Sequence, residues 1–351
     1  MAARIDTGIV PTGQDRIQGL DELRGIAVLW VVLLHSWGSF SPSGPVEGFA
    51  HGIISAGWLG VDLFFALSGF LITRILLASR ERADYFRVFY WRRSLRIFPL
   101  YFAVLAIAFA SEPDQLEWLP WYALYGMNFY PGELPATIGG FTFSHFWSLC
   151  VEEHFYLLWP FVIRWVSREH LTRVIGGLAV YSLLIRLGMT EAFYPGEYIS
   201  RNSFCRFDSI ALGSAVAVLP WDSTTYRKIF CVATIILLPL LALLDPLMPV
   251  MLVCGKFLIA VWAASAVGCV ARGGSRWLSS RCLADVGAVS YGVYVWHFLL
   301  IGSLSHALGP MSRDLGYFRG GSLAFALMLG FGLLMARISW RWIEKPFLSL
   351  R

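Results

Sequence analysis

Residues Leu20–Trp37 read LDELRGIAVLWVVLLHSW. Charges stand only at the mouth of this run (Asp21, Glu22, Arg24), and a single histidine, His35, lies deep inside it. A run this long and apolar is a membrane-helix pattern. Arg24 and His35 are eleven positions apart, which returns to within about 20° of the same helix face and spans about 16 Å along the axis. A cation and a potential general base therefore stand in line on one wall of a membrane helix. An ionisable group inside an apolar span is costly and is a functional candidate by default.

The whole chain fits that setting. Of its 351 residues 57% are hydrophobic and 15% charged, which excludes an ordinary soluble domain. Apolar segments recur at 23–40, 57–77, 97–110, 145–163, 174–189, 203–219, 229–244, 249–271, 286–306 and 320–340. Each is near the length that crosses about 30 Å of hydrocarbon. The fold class predicted is all-α, a polytopic transmembrane helical bundle of about ten spans. The stretch 118–130 is apolar but short and broken by Pro120, with Pro131 just beyond it, and reads as an interfacial or re-entrant piece of a long loop.

With the N-terminus inside, 22 of the 28 Lys and Arg fall on the inner side, which predicts cytosolic N- and C-termini. The net charge of +5 then reflects cytoplasmic loops and not a nucleic-acid partner. Residues 1–19 are expected to form a polar cytosolic tail and not a cleaved leader, and 20–347 one transmembrane domain. The six cysteines have no CxxC spacing and read as small buried residues, neither a disulfide frame nor a metal site.

Six motifs occur in order: DELRGIAVLWVVLLH from Asp21, GWLGVDLFFALSGFLIT from Gly57, RRSLRIFPLYF from Arg92, HFWSLCVEEHFYLLWP from His145, SYGVYVWH from Ser290 and WIEKPF from Trp342. Together they resemble the membrane acyltransferase-3 family of acyl-CoA-using O-acyltransferases, over nearly the whole chain. The resemblance implies ten spans and transfer of an acyl group, often acetyl, from cytosolic acyl-CoA to a hydroxyl of a carbohydrate or glycosylated acceptor. The family's arginine–ten residues–histidine signature falls on Arg24 and His35, and its RxxxR motif on Arg92 and Arg96. Cys150 and His154 depart from the family's commoner SVEEQFY, which leaves the carboxylates intact and puts fine acceptor specificity in doubt.

The residues read alone agree with that chemistry. Acyl transfer to an alcohol needs a base for the hydroxyl proton and donors for the developing oxyanion. His35 is the best-placed base, because its ordinary pKa lies near neutrality; the alternative is a histidine bonded to a neighbouring helix. Arg24 either marks the helix end or contacts the donor's phosphates, and an extended pantetheine arm matches its distance from His35. Asp62 either orients the His35 imidazole in the manner of a His–Asp pair or is an interfacial carboxylate. Arg92, Arg93 and Arg96 suit phosphate recognition by forked guanidiniums, and a positive-inside run accounts for them equally well.

Glu152 is the candidate to bind acceptor hydroxyls or hold the arginines, with Glu153 second. His145 shares a helix face with Ser148 and Glu152; His145, Glu152 and His154 lack metal-ligand spacing, so no metal is expected. Ser290, Tyr294 and His297 share another face, either a packing stripe or a substrate contact. The expected catalytic set is His35, Asp62 and Glu152. The donor-binding set is Arg24, Arg92, Arg93 and Arg96, and the acceptor-binding set is Glu153, His145, Tyr294 and His297. The reading is a multi-pass membrane O-acyltransferase, expected in the bacterial inner membrane, with acetyl-CoA as co-substrate. Its rivals are a glycan transporter or flippase and a non-catalytic envelope-assembly partner.

Overall fold

The computed structural model describes residues 17, 19–38, 40–130, 132–273, 278–299 and 301–350, without the side chains of 302–314. The expected N-terminal tail therefore lies, apart from Ile17 and Gly19, outside the described residues. In chain order the α-helices are α1 (Leu20–Trp37), α2 (Pro45–Ser55), α3 (Leu59–Ser79), α4 (Tyr85–Ser111), α5 (Leu119–Ala123), α6 (Trp147–Trp165), α7 (Arg168–Glu191) and α8 (Gly196–Arg201). They continue as α9 (Phe207–Val218), α10 (Ser223–Leu243), α11 (Lys256–Gly273), α12 (Arg281–Ala288), α13 (Ser290–Leu299), α14 (Ile301–Ser339) and α15 (Lys345–Leu348).

The protein is an all-α membrane bundle, and each of the ten predicted segments is built around a helix. Among the described residues six stretches are long and apolar enough to cross a membrane: Pro45–Ser79, Tyr85–Ser111, Arg168–Glu191, Ser223–Leu243, Met251–Gly273 and Leu315–Leu348. α1 and α6 have similar lengths but carry three charges each, Asp21, Glu22 and Arg24 on one and Glu152, Glu153 and Arg164 on the other. Three of those six charges, Arg24, Glu152 and Glu153, are candidate site residues. The 118–130 stretch holds only the five-residue α5 and short 3-10 turns, too short to span. α14 is interrupted at Gly316, whose φ of 70° and ψ of 175° no helix accommodates and which only glycine adopts without strain.

α3 is the centre of the bundle: it packs on α1, α6, α9 and α11, and its residues from Leu59 to Thr73 are almost all buried. Small residues permit that closeness. A Cβ on Gly69 would lie 1.9 Å from the Ile210 carbonyl of α9, and one on Gly213 of α9 would lie 2.2 Å from the Ala66 carbonyl of α3. α1 and α12 approach in the same reciprocal way, Gly25 against Leu283 and Gly287 against Asp21. Without a hydrophobic drive between helices in lipid, such backbone-to-backbone contact is a main source of association.

The long loop after α4 folds back on that helix. The Tyr101 hydroxyl donates to the Tyr122 carbonyl at 2.7 Å, and the Gly139 N–H donates to Glu112 at 2.6 Å. Gly139 sits in a two-residue hairpin between Thr137–Ile138 and Phe141–Thr142, where Gly139 and Gly140 both have positive φ, as a type I′ turn requires.

Candidate active site

α1, α3, α4, α6 and α13 enclose a cavity of about 110 Å³. One part of its wall is cationic, with Arg24 from α1 and Arg93 and Arg96 from α4. Ser68 of α3, Ser148 and Glu152 of α6, and Ser290, Tyr291 and Tyr294 of α13 add polar groups, while Val61, Phe64, Phe65, Leu67, Leu149 and Ile97 supply the apolar side. A pocket mostly apolar with a few convergent polar groups is the usual form of a small-molecule site.

The arginines have distinct settings. Arg24 donates to Asp21 one turn away at 3.1 Å and remains about a quarter exposed. Arg93 lies 3.5 Å from Glu152 and 3.9 Å from Glu153, with its guanidinium 3.7 Å from the centre of the Tyr156 ring. These are ion-pair distances, and the buried Nε donates no hydrogen bond among the described residues. Arg96 reaches both this cavity and a small cleft beside Glu344. Arg92 is exposed and does not line the cavity. Of the two glutamates Glu152 lines the cavity and Glu153 does not.

Three histidines form a group beside Tyr294. His35 Nδ1 lies 3.0 Å from His297 Nε2, and the His35 ring packs on Phe298 at 4.2 Å. His297 Nδ1 is 2.7 Å from the Tyr294 carbonyl, which can only accept, so Nδ1 carries its proton. His145 points its Nε2 at the Val295 carbonyl at 3.2 Å, and its ring packs on those of Tyr294, His297 and Phe298. The Tyr294 hydroxyl bonds Ser148 at 2.6 Å. His35, His145 and His297 do not line the cavity; Tyr294, which does, packs on the rings of His145 and His297.

Asp62 is not the partner of His35. Its carboxylate accepts from Arg206 at 2.6 Å and from the Ser209 hydroxyl at 2.7 Å. The register of α3 on α1 explains the correction: Gly57 packs on Trp30 and Leu34, and Gly60 on Ala27 and Val31. Asp62 consequently falls about two turns short of His35 along α1. A second buried pair, Arg186 with Asp208 at 2.7 Å, lies beside the first. Lys256, for which the sequence offers no partner, is buried with its ammonium 3.9 Å from the centre of the Trp58 ring.

Two participants escape sequence reasoning. Tyr156 stacks on Arg93 and hydrogen-bonds Ser68; its position one turn after Glu152 is a signal, but a weak one among so many aromatics. His297 as the partner of His35 has no sequence signal at all. Among the described residues no three His, Cys, Asp or Glu converge as a metal set, and the cysteines are unpaired.

The family model of an acyltransferase domain matches residues 17–341. The chain is 25% identical to the peptidoglycan O-acetyltransferase OatA of Listeria monocytogenes, over 94% of this chain and 55% of that protein. It is 28% identical to the putative peptidoglycan O-acetyltransferase YrhL of Bacillus subtilis, over 94% of this chain and 54% of that one. With the O-acetyltransferase OatA of Staphylococcus aureus the figures are 26%, 94% and 57%. The chain spans about half the length of the curated relatives it matches. No solved structure matches.

Proposed function

The chain belongs to the membrane acyltransferase-3 family, and on that premise we propose that it moves an acetyl group from cytosolic acetyl-CoA to a hydroxyl of a cell-envelope carbohydrate. The observation that carries the reading is the cavity itself, cationic at Arg24, Arg93 and Arg96 and lined by a Tyr294 whose carbonyl holds the partner of His35. Arg24 and Arg96 hold the donor's phosphates, and Arg93 is steadied by Glu152, Glu153 and the Tyr156 ring. The rise from Arg24 to His35, about 16 Å, matches the reach of a pantetheine arm. That length brings the thioester level with His35 along α1.

The reaction needs no covalent enzyme intermediate. His35 takes the proton of the acceptor hydroxyl as its oxygen bonds the thioester carbon. The carbon–sulfur bond then breaks, its electron pair leaves on sulfur, and His35 returns the proton to the thiolate. Glu152 accepts hydrogen bonds from the acceptor. The setting is a ten-span bundle with both termini in the cytosol of a bacterium, in its inner membrane. The relatives' names favour a glycan acceptor, peptidoglycan among them.

The test is purified protein in lipid nanodiscs with radiolabelled acetyl-CoA and a cell-envelope glycan fraction. Alkali-labile label should enter the glycan with wild type and not with His35→Ala. Equal labelling by both proteins would overturn the role of His35, and transport of glycan without labelling would replace the reading by a transporter.

A further inference from the structure

His297 is 2% exposed, and both of its ring nitrogens are already engaged. Nδ1 faces the Tyr294 carbonyl at 2.7 Å and the Val293 carbonyl at 3.2 Å, and Nε2 faces His35 Nδ1 at 3.0 Å. No ring nitrogen is left for a substrate. The carbonyls of α13 accept only, so the neutral His297 ring is protonated on Nδ1 and bare on Nε2. A bare nitrogen can only accept, which requires the proton of the neutral His35 ring to sit on Nδ1. The other His35 nitrogen, Nε2, then carries the lone pair, and it meets no hydrogen-bond partner among the described residues.

From this chain of partners we infer that His297 is the positioning residue that fixes the tautomer of His35, presenting Nε2 as the proton acceptor. The inference rests on the reading of His35 as the base. His297 occupies the place that a carboxylate takes in a Ser–His–Asp triad, with a backbone carbonyl behind it as the final anchor. As His35 takes up a proton on Nε2, its Nδ1–H becomes a charged donor and the bond to His297 shortens. A histidine held by carbonyls adds no negative charge to an apolar site, as a buried carboxylate in that place would. Phe298 against the His35 ring and His145 against the His297 ring hold the two imidazoles in contact.

Two substitutions separate positioning from packing. His297→Gln places an amide oxygen near the Nε2 position and keeps an acceptor for His35; His297→Phe keeps the bulk and removes the acceptor. The Phe variant should lose turnover by at least about a hundredfold, toward the about 10⁴-fold of a wrong-tautomer defect, with the KM for acetyl-CoA within about twofold of wild type. The Gln variant should recover turnover to within about tenfold of wild type. Equal turnover of the Phe variant and wild type would overturn the inference, as would equal loss in the Gln and Phe variants.

A second measurement does not depend on activity. In protein labelled with ¹⁵N-histidine, the resonances lost in His35→Ala should report a protonated Nδ1 and a bare Nε2, and His297→Phe should mix the two tautomers. A bare Nδ1 in wild type would overturn the inference even in an active enzyme. A wild type that acetylates nothing would instead overturn the proposed function, leaving the tautomer result to decide this one.

Discussion

The carboxylate of Asp62 and the guanidinium of Arg206 meet at 2.6 Å across the α3–α9 contact, with the two side chains 0% and 1% exposed. The Arg206 guanidinium also faces the Phe65 and Trp147 rings at 5.6 and 5.8 Å. Breaking such a pair leaves a buried charge without compensation. Arg206→Met should therefore lower stability by about 3–5 kcal/mol, and adding Asp62→Asn should restore part of it. Detergent-phase thermal unfolding of the single and double variants measures both. Additive losses in the double variant would show that the two groups do not act as a pair.

The arginines divide into those that reach the cavity and one that does not. Arg24→Ala should raise the KM for acetyl-CoA by about tenfold to a hundredfold, the worth of a hydrogen bond to a charged group. Arg92→Ala, at an exposed position, should stay within about 0.5 kcal/mol, or about twofold. Isotopic initial-rate measurements across donor concentration compare the two directly, and a reversed order would remove Arg24 from the donor site.

Glu152 and Glu153 both approach Arg93, yet only Glu152 lines the cavity. Glu152→Gln keeps the shape and removes the charge. It should reduce kcat/KM for the acceptor by about tenfold to a hundredfold. Donor binding, read by equilibrium dialysis, should change far less. A loss confined to donor binding would make Glu152 an arginine-holding residue only.

Close backbone approach gives a structural prediction. Gly213→Ala puts a methyl 2.2 Å from the Ala66 carbonyl, and Gly69→Ala puts one 1.9 Å from that of Ile210. Each should cost about 1–3 kcal/mol through forced separation of α3 and α9. Gly176→Ala in α7, where a methyl meets nothing within 4 Å, should be neutral or stabilising by up to about 1 kcal/mol. Unfolding midpoints of the three variants, compared in one detergent, check the order.

Much of the molecule is legible without coordinates. Apolar runs of membrane length mark where the helices are, and the placement of 118–130 as a non-spanning piece follows from its length and prolines. The cavity's arginines, serine and glutamate are visible as charges and small polar groups at helical spacing, because helix periodicity is a local property. Glu152 and Ser148 share a face four residues apart, and both line the cavity.

Partners are where local reading stops. Asp62 and His35 match in depth when each helix is laid from its own membrane edge, but the glycine contacts that seat α3 on α1 set a register that parts them by about two turns. Lys256 finds Trp58, and Arg206 finds Asp62 from 144 positions away. His35 finds His297 across 262 positions. The sequence by itself determined the all-α membrane class, the helix positions and the set of costly polar residues, since burial in lipid leaves a compositional trace along the chain. Which of those residues touch was decided only by tertiary packing, because helix register and rotation depend on side-chain fit between segments far apart in the chain.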